Sequence, residues 1–259
     1  MSVPVTCTAA SKTYPGGLTA VSPVNISFAP GATTALVGPS GCGKSTLLRM
    51  IAGLEEPSTG TITIDGLPPS EISRRGDLSI AFQDPSLLPW RSVRKNIELA
   101  LDLARRPKVT QDIDELIQLV GLDGFADTKP AELSGGMRQR AAIARALATK
   151  PALLLLDEPF GAVDELTRQQ LAEDLPAIWE AGDTTTLLVT HSVSEAVMLS
   201  DRILVLSPRP ATIAADIKID LPRPRRSEFA RLPEFSAHVD EVFAFLSQGV
   251  PGSRAKAAQ

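Results

Sequence analysis

The chain has 259 residues, of which 43% are hydrophobic and 22% are charged, and this composition excludes disordered and fibrous proteins. Lysine and arginine number 26 against 30 acidic residues, and the net charge of −4 argues against a nucleic-acid partner, because nucleic-acid-binding domains are usually basic. The two cysteines, Cys7 and Cys42, lie far apart, which indicates a reducing compartment rather than a disulfide scaffold.

No apolar run approaches the roughly 20 residues that a membrane-spanning helix needs. The N-terminus has no charge before Lys12 and no long apolar core, so no secretory leader is predicted. We therefore expect a cytosolic protein in which any membrane role comes through a partner.

Short apolar runs alternate with helical patterns, which predicts an α/β fold with a largely parallel sheet. Residues 33–38 predict a buried strand followed by a helix, residues 59–66 a hairpin strand that ends in Asp-Gly, and residues 78–84 another strand. The leucine-rich runs at 152–158 and 185–191 predict central strands that are covered on both faces.

Between about residues 84 and 150 the pattern becomes helical. Within residues 109–122 apolar side chains recur at i, i+3, i+4 and i+7, with Thr110 or Asp112 as a candidate cap and Gly121 as the end. We interpret this stretch as a helical subdomain inserted into the α/β core.

The last part of the chain follows the core. Residues 202–221 predict a closing hairpin, and residues 222–226 an extended connector, since residues before proline avoid the helical region. The tail after Gly249 is predicted to be frayed. Between them lies a helix whose predicted apolar face consists of Phe235, Val239, Val242, Phe243 and Leu246.

The connector is rich in arginine, and we expect it to be solvated; contact with anionic lipid or DNA is the alternative. These arginines are Arg223, Arg225, Arg226 and Arg231. Together the patterns divide the chain into a first part of the α/β core, a helical subdomain, a second part of the core, and a connector with a C-terminal helix and tail. The predicted bounds are 1–83, 84–150, 151–221 and 222–259.

The sequence GPSGCGKST lies between a predicted strand and a predicted helix and matches the phosphate-binding pattern GxxxxGK(S/T). Glycines let backbone N–H groups surround phosphates, and a helix N-terminus favours negative charge. Lys44 would reach the β and γ oxygens, and the Ser45 hydroxyl would bind Mg²⁺. A glycine-rich turn without a ligand is the alternative. The residues assigned to nucleotide binding in this loop are Gly38, Pro39, Ser40, Gly41, Cys42, Gly43, Lys44, Ser45 and Thr46.

Asp157 and Glu158 end a predicted buried strand, at the edge where open α/β sheets collect ligands. Asp157 would hold Mg²⁺ through water, and Glu158 would orient or deprotonate the water that attacks a γ-phosphate. The alternative, two acids that merely end a strand, is disfavoured by the phosphate loop upstream.

LSGGMRQR at 133–140 resembles the LSGGQ signature of the ATP-binding cassette (ABC) family, and the resemblance covers roughly residues 3–220. It implies a P-loop NTPase core of the ABC type with an antiparallel β subdomain and an inserted helical subdomain. It also implies an ATPase that acts as a dimer with two ATP molecules between the copies. The family's order of motifs is matched by the phosphate loop, Gln83, the signature, Asp157, Glu158 and His191.

By this resemblance, Tyr14 stacks on adenine, Gln83 senses Mg²⁺ and communicates with a membrane partner, and His191 contacts the γ-phosphate. Asp164 matches the aspartate that crosses the dimer. The alternatives are an ordinary surface tyrosine, a polar strand end and a merely hydrogen-bonded histidine. The implied catalytic residues are Glu158, His191 and Gln83, and the implied Mg²⁺ ligands are Ser45, Gln83 and Asp157. The implied contacts to the nucleotide of the opposite copy are Ser134, Gly135, Gly136 and Met137.

Two positions depart from the family pattern: Met137 replaces a glutamine and Val163 a leucine. The segments QDPSLLPW and DEPFGAVDELTR resemble the branch that imports nitrate, aliphatic sulfonates and taurine. The implied partners are a second copy, transmembrane permease subunits and, indirectly, a periplasmic or lipid-anchored solute-binding protein, with the chain at the cytoplasmic face of the membrane and no nucleic acid bound.

Two other classes compete with the importer. A soluble ABC-type mechanical ATPase acting on DNA or ribosomes is disfavoured because the chain has no coiled-coil insertion and no second cassette. An interaction module with a dead site is disfavoured by the presence of Lys44, Asp157, Glu158 and His191.

Residues 86–96, SLLPWRSVRKN, follow a predicted strand and give Leu87, Leu88 and Trp90 no obvious buried place. We expect the permease to dock here, near Gln83, because tryptophan is enriched at interface centres. The alternative is that Leu87 and Trp90 anchor the helical subdomain to the core.

Overall fold

The computed structural model describes residues 2–248, so the predicted frayed tail after Gly249 lies outside the described residues. Within residues 2–248, no helix has the length and apolar character needed to cross a membrane. The strands of this part of the chain are β1 (Val5–Thr13), β2 (Thr19–Phe28), β3 (Thr33–Val37), β4 (Thr59–Ile64), β5 (Leu78–Ala81), β6 (Leu153–Asp157), β7 (Thr185–Val189), β8 (Arg202–Leu206) and β9 (Ile213–Lys218).

The helices precede or follow these strands in the manner of an α/β protein. They are α1 (Lys44–Ile51), α2 (Pro69–Arg75), α3 (Val93–Leu103), α4 (Thr110–Leu119), α5 (Gly135–Ala148), α6 (Glu165–Asp174), α7 (Pro176–Ala181), α8 (Val193–Leu199) and α9 (Pro233–Gln248). Short 3-10 helices occur at Pro130–Glu132 and Ser227–Arg231.

The strands form two sheets. The smaller sheet is antiparallel and has β1 between β2 and β4. The larger sheet has the order β5-β6-β7-β3-β8-β9 and is parallel except for β9, which pairs antiparallel with β8 as the predicted closing hairpin. The predicted α/β core with an antiparallel β subdomain is confirmed. The strand predicted at 59–66 is confirmed as β4, which pairs with β1. The Asp65-Gly66 turn that ends it closes a single antiparallel bridge between Ile64 and Leu67 before α2 begins.

Strand β6 is covered on both faces, as its leucine run predicted. Leu153 and Leu155 join the cluster that includes α1 and the small sheet, whereas Leu154 and Leu156 join the cluster of the helical subdomain. Successive side chains of a strand point to opposite faces, so an unbroken apolar run fits only a strand with two buried faces.

The segment between β5 and β6, which the structure describes throughout, contains α3, α4 and α5 and no strand, and this confirms its helical character. The predicted caps of α4 are wrong: Val109 occupies the position before the helix, and no side chain among the described residues caps its start. Gly121 follows the helix with a φ of +63°, in the left-handed region that glycine adopts freely, and so ends it as predicted.

The arginines of the connector are not uniformly solvated, so that prediction is wrong for two of them. Arg225 is 5% exposed and donates to the carbonyls of Val197 and Ser200, each at 2.7 Å, at the end of α8. Arg223 pairs with Asp201 at 2.9 Å. The last turn of a helix leaves carbonyls without intrahelical donors, and a guanidinium with several N–H groups satisfies them.

The C-terminal helix α9 packs against the core through only part of its predicted apolar face. Phe235 and Val242 are buried, and Val239 and Leu246 are half-buried against the same cluster. Phe243 is 51% exposed, so its placement on the apolar face is wrong.

Candidate functional site

Four neighbouring strands of the large sheet end at one edge and deliver the predicted site residues there. The phosphate loop follows β3, His191 follows β7, Asp157 and Glu158 lie at the end of β6, and Gln83 follows β5. Because these strands are parallel and adjacent, their carboxyl ends are on the same side of the sheet.

The phosphate loop wraps closely around the start of α1. Lys44 is 6% exposed, and its Nζ donates to the carbonyl oxygens of Gly38 at 2.8 Å and Pro39 at 3.0 Å. Gly43 has a φ of +126°, and a Cβ there would lie 2.7 Å from the carbonyl oxygen of Ala20. This position therefore requires glycine for both its backbone angle and its close approach to β2.

A hydroxyl and a carboxylate meet beneath this loop. Ser45 Oγ donates to Asp157 Oδ1 at 2.9 Å, and Asp157 is 3% exposed. Burial raises the pKa of Asp157, while the hydrogen bond from Ser45 and the charges of Arg49 and Lys44 act in the opposite direction. Mg²⁺ prefers oxygen ligands and binds proteins through one or two such groups together with phosphate oxygens, so this pair fits the predicted Mg²⁺ site.

Glu158 lies at the centre of the polar groups at this edge. Its φ is +49°, an uncommon angle for a residue with a side chain, and its N–H donates to the carbonyl of Val189 at 2.8 Å. Its Oε2 accepts from Gln83 Nε2 at 3.1 Å and lies 3.5 Å from His191 Nδ1. The structure therefore brings together all three residues that the sequence assigned to catalysis.

These groups line one cleft of about 560 Å³, called the cleft below. Tyr14 contributes to its wall, and the Tyr14 hydroxyl donates to Glu55 Oε2 at 2.7 Å. Sequence reasoning missed Arg209, which follows β8 in a proline-flanked turn that carries no recognisable signal. The cleft is lined by Tyr14, Leu18, Ala20, Ser40, Gly41, Gly43, Lys44, Ser45, Thr46, Gln83, Glu158, His191 and Arg209.

The predicted signature residues do not line the cleft. Ser134 precedes α5, and its Oγ accepts from the N–H of Met137 at 3.2 Å. A Cβ at Gly136 would lie 3.0 Å from the carbonyl oxygen of Ala162, so a glycine lets α5 pack closely on the loop before α6. We call the residues 134–137 together with the exposed Asp164 the signature face.

Asp164 itself caps a helix. Its Oδ1 accepts from the N–H of Thr167 at 3.0 Å at the start of α6, and this hydrogen bond lowers the pKa of the carboxyl group. The side chain is therefore ionised at neutral pH, beside the N-terminal end of a helix dipole, which favours negative charge.

Of the three hydrophobic side chains singled out in the loop after Gln83, Leu87 and Leu88 are half-buried and Trp90 is exposed. Leu87 packs against the helical subdomain, as the alternative prediction held, whereas Trp90 is 69% exposed and anchors nothing in the part of the chain that the structure describes. Tryptophan is enriched at the centres of protein–protein interfaces.

Two polar residues of α5 hold this loop, and sequence reasoning missed them. Gln139 is 1% exposed, and its Nε2 donates to the carbonyl of Phe82 at 3.1 Å. Arg145 donates to the carbonyls of Pro85 at 2.9 Å and Ser86 at 2.8 Å. Nothing in the sequence distinguishes them from the other two polar residues of α5, Arg138 and Arg140.

Comparison with known proteins gives a consistent family. The family model described as ABC transporter matches residues 21–161. The bicarbonate transport ATP-binding protein CmpC of Synechocystis sp. is 46% identical over 92% of this chain, and the nitrate import ATP-binding protein NrtD of Synechococcus elongatus is 43% identical over 91% of it. The dimeric structure of the ATP-binding cassette MJ0796 bound to ADP and Pi has a TM-score of 0.76 at 31% identity, with 84% of this chain and 100% of that chain covered.

The relatives differ in size from this chain. The match covers 88% of the nitrate relative NrtD but only 36% of CmpC. The chain thus spans about a third of the length of several curated relatives that it matches.

Proposed function

Because the chain belongs to the ABC transporter family, we propose that it is the ATP-hydrolysing subunit of an importer for a small anion. The observation that carries this proposal is the cleft, where the phosphate loop, Gln83, Glu158 and His191 lie together. Relatives that are named for nitrate and bicarbonate import support an anion as the substrate and widen the set expected from the sequence.

The cleft offers a place for each part of MgATP. The wall around Tyr14 would receive adenine, and the loop N–H groups with Lys44 would bind the phosphates. Mg²⁺ bound at Ser45 and Asp157, with Gln83 nearby, would neutralise charge on the β and γ phosphates. These assignments use only side chains that line the cleft or contact its loop.

Hydrolysis would depend on Glu158 and His191. The Glu158 carboxylate, held by Gln83 at 3.1 Å, would orient the attacking water or accept its proton. The His191 side chain, which is 67% exposed, would contact the γ-phosphate. Phosphoryl transfer gains most from positioning and charge stabilisation, which these fixed groups would supply.

A second copy would complete each site. The signature face lies outside the cleft and presents backbone N–H groups at the start of α5, so it would contact the γ-phosphate of ATP held by the opposite copy. The dimeric assembly of MJ0796 supports this arrangement. ATP binding would close the dimer, and hydrolysis would reopen it.

The permease would dock at Trp90. This side chain is exposed, follows Gln83 on a loop that α5 holds through Arg145, and would place the chain at the cytoplasmic face of the membrane. Coupling requires an element that has two arrangements and that both sites influence, and we assign this role to the loop between Gln83 and Trp90 because it connects the cleft to the exposed tryptophan.

The test is reconstitution with the candidate permease and solute-binding subunits in vesicles. Transport of nitrate or bicarbonate should require ATP, and Trp90→Ala should abolish it while the isolated subunit keeps its ATPase activity. Leu103→Ala is the matched control, because Leu103 is 76% exposed on α3. Absence of ATP hydrolysis in the isolated chain would reject the ATPase, whereas transport that survives Trp90→Ala would reject only the docking site.

A further inference from the structure

The position of His191 is set by its neighbours in the chain rather than by its own side chain, which is 67% exposed. On one side, the Thr190 N–H donates to the carbonyl of Leu36 at 3.3 Å. On the other, the Ser192 N–H donates to Thr190 Oγ1 at 3.0 Å, so the Thr190 hydroxyl closes a small loop around His191. Whatever holds the Thr190 hydroxyl therefore holds the backbone of His191.

Glu195, on the first turn of α8, holds that hydroxyl. Thr190 Oγ1 donates to Glu195 Oε2 at 2.9 Å, and Ser192 Oγ accepts from the Glu195 N–H at 3.3 Å. Burial raises the pKa of Glu195 to about 7, while the hydrogen bond from Thr190 and the positive charge of Arg168 lower it. The Glu195 carboxyl group is thus buried, and its charge state depends on the hydrogen bond from Thr190 and on the charge of Arg168.

Arg168, on α6, holds the loop that carries Asp164. Its Nη2 donates to the carbonyl of Val163 at 3.0 Å, directly before Asp164, and its Nη1 to Glu165 Oε2 at 3.0 Å. The same guanidinium therefore fixes the chain on both sides of Asp164, much as the Thr190 hydroxyl does for His191.

Arg168 and Glu195 face the same cavity of about 530 Å³, which lies between α6, α8 and the segment at Ser227–Arg231. Each has one shielded polar atom without a hydrogen-bond partner among the described residues, Arg168 Nε and Glu195 Oε1. One is a donor and the other an acceptor, and leaving both unsatisfied would be unfavourable. Both side chains line this cavity, and the positive charge of Arg168 acts on the Glu195 carboxyl group.

We propose that Thr190, Glu195 and Arg168 are positioning residues that connect the loop of His191 to the loop of Asp164 within one subunit. This inference rests on the proposed ATP hydrolysis in the cleft. Through this connection, a displacement of the Asp164 loop when a second copy binds would change the position of His191. A displacement of His191 would likewise change the position of Asp164. The connection thus links the cleft of a subunit to the signature face of the same subunit.

The experiment measures steady-state ATP hydrolysis of the full chain with two pairs of variants. Thr190→Val removes the hydroxyl with little change in shape, and Thr190→Ser restores it. Arg168→Met removes the guanidinium but keeps an unbranched stem. Glu173→Gln is its control, because Glu173 lines the same cavity and its replacement amide can still accept from the N–H of Ser227.

We expect Thr190→Val and Arg168→Met each to lower kcat about 5- to 10-fold with KM for ATP changed less than about 2-fold, the pattern of an interaction needed in the transition state. The double variant should lose little more than the larger single loss, because coupled residues are not additive. Thr190→Ser and Glu173→Gln should keep kcat near the parental value.

Losses that multiply in the double variant, or a rise in KM without a fall in kcat, would overturn the connection. So would a loss of kcat that is fully explained by a lower unfolding temperature, or an equal loss in Thr190→Ser. If the parental chain hydrolyses ATP and His191→Ala does not, the proposed function stands even when the variants of Thr190 and Arg168 contradict this inference. A parental chain without ATPase activity rejects the proposed function itself.

Discussion

The cleft and the signature face belong to one subunit but are built in opposite ways. In the cleft the functional side chains bond to one another or to the loop, as Ser45 does with Asp157 and Gln83 with Glu158. On the signature face, the Ser134 and Asp164 side chains each accept a hydrogen bond from the N–H groups at the start of their own helix. This difference fits the proposal that the cleft is ordered for chemistry within the chain, whereas the signature face would be contacted by a second copy.

The largest expected effect tests the cleft. Glu158→Gln keeps the shape of the side chain but removes the group that accepts a proton, so kcat for ATP hydrolysis should fall by roughly 10²- to 10⁴-fold. ATP should still bind and promote a dimer, detected by light scattering. Glu56→Gln, at an exposed position, is the matched control. Parental turnover in Glu158→Gln would remove Glu158 from the chemistry.

Lys44→Met tests the binding half of the cleft. The substitution keeps most of the apolar stem of a buried side chain and removes its charge, and a hydrogen bond to a charged group contributes about 1.5–3 kcal/mol. MgATP affinity measured by calorimetry should fall roughly 10- to 100-fold, while circular dichroism stays parental. Lys129→Ala, at an exposed position outside the cleft, is the control. Equal affinity would contradict the assigned role.

The cleft could be predicted from the sequence because its determinants are local. The glycines of the phosphate loop and the apolar residues of β3, β6 and β7 fix the strands and the loops at their carboxyl ends, and parallel pairing brings these ends together. Which loop residues meet which side chain, such as Gln83 and Glu158, depends on backbone angles that no pattern encodes.

Long-range hydrogen bonds account for most of the features that the sequence did not predict. Arg225 resembles a solvated arginine among prolines, yet it donates to the end of α8. Glu195 and Arg168 are likewise distant in the chain yet line the same cavity. Composition and periodicity indicate how apolar surface is buried but carry no information about which buried polar groups pair.

Ser134→Arg tests whether the signature face acts on a second molecule. The bulky cation should lower the hydrolysis rate about 10-fold or more by loss of hydrogen bonds to a charged phosphate, while ATP affinity of the monomer stays parental. Ser92→Arg is the control, since Ser92 caps α3 in the same way. Ser92→Arg removes a helix cap without affecting the signature face, so it separates the effect of losing a cap from the effect of losing the contact with the opposite nucleotide.

Mixing Ser134→Arg with Lys44→Met sharpens the comparison further. In a mixed dimer, one site combines both lesions and the other has an intact phosphate loop and an intact signature. Activity should therefore exceed that of either variant alone. No recovery, in a sample where crosslinking shows mixed dimers, would mean that both residues serve the same pocket of one subunit.

The smallest expected effect concerns Met137, where the family usually has glutamine. The Met137 side chain is half-buried against the helical subdomain, so it faces inward rather than toward a second copy. Met137→Gln should then change the ATP concentration needed for dimer formation by less than about 2-fold, since substitutions away from a contact stay within about 0.5 kcal/mol. It should also lower the free energy of unfolding by about 1 kcal/mol, because a polar amide replaces a packed thioether, whereas Met137→Leu should change neither quantity. Dimer formation at an ATP concentration about 10-fold lower in Met137→Gln, measured by light scattering, would show that a side chain at this position reaches the opposite nucleotide despite its packing against the helical subdomain.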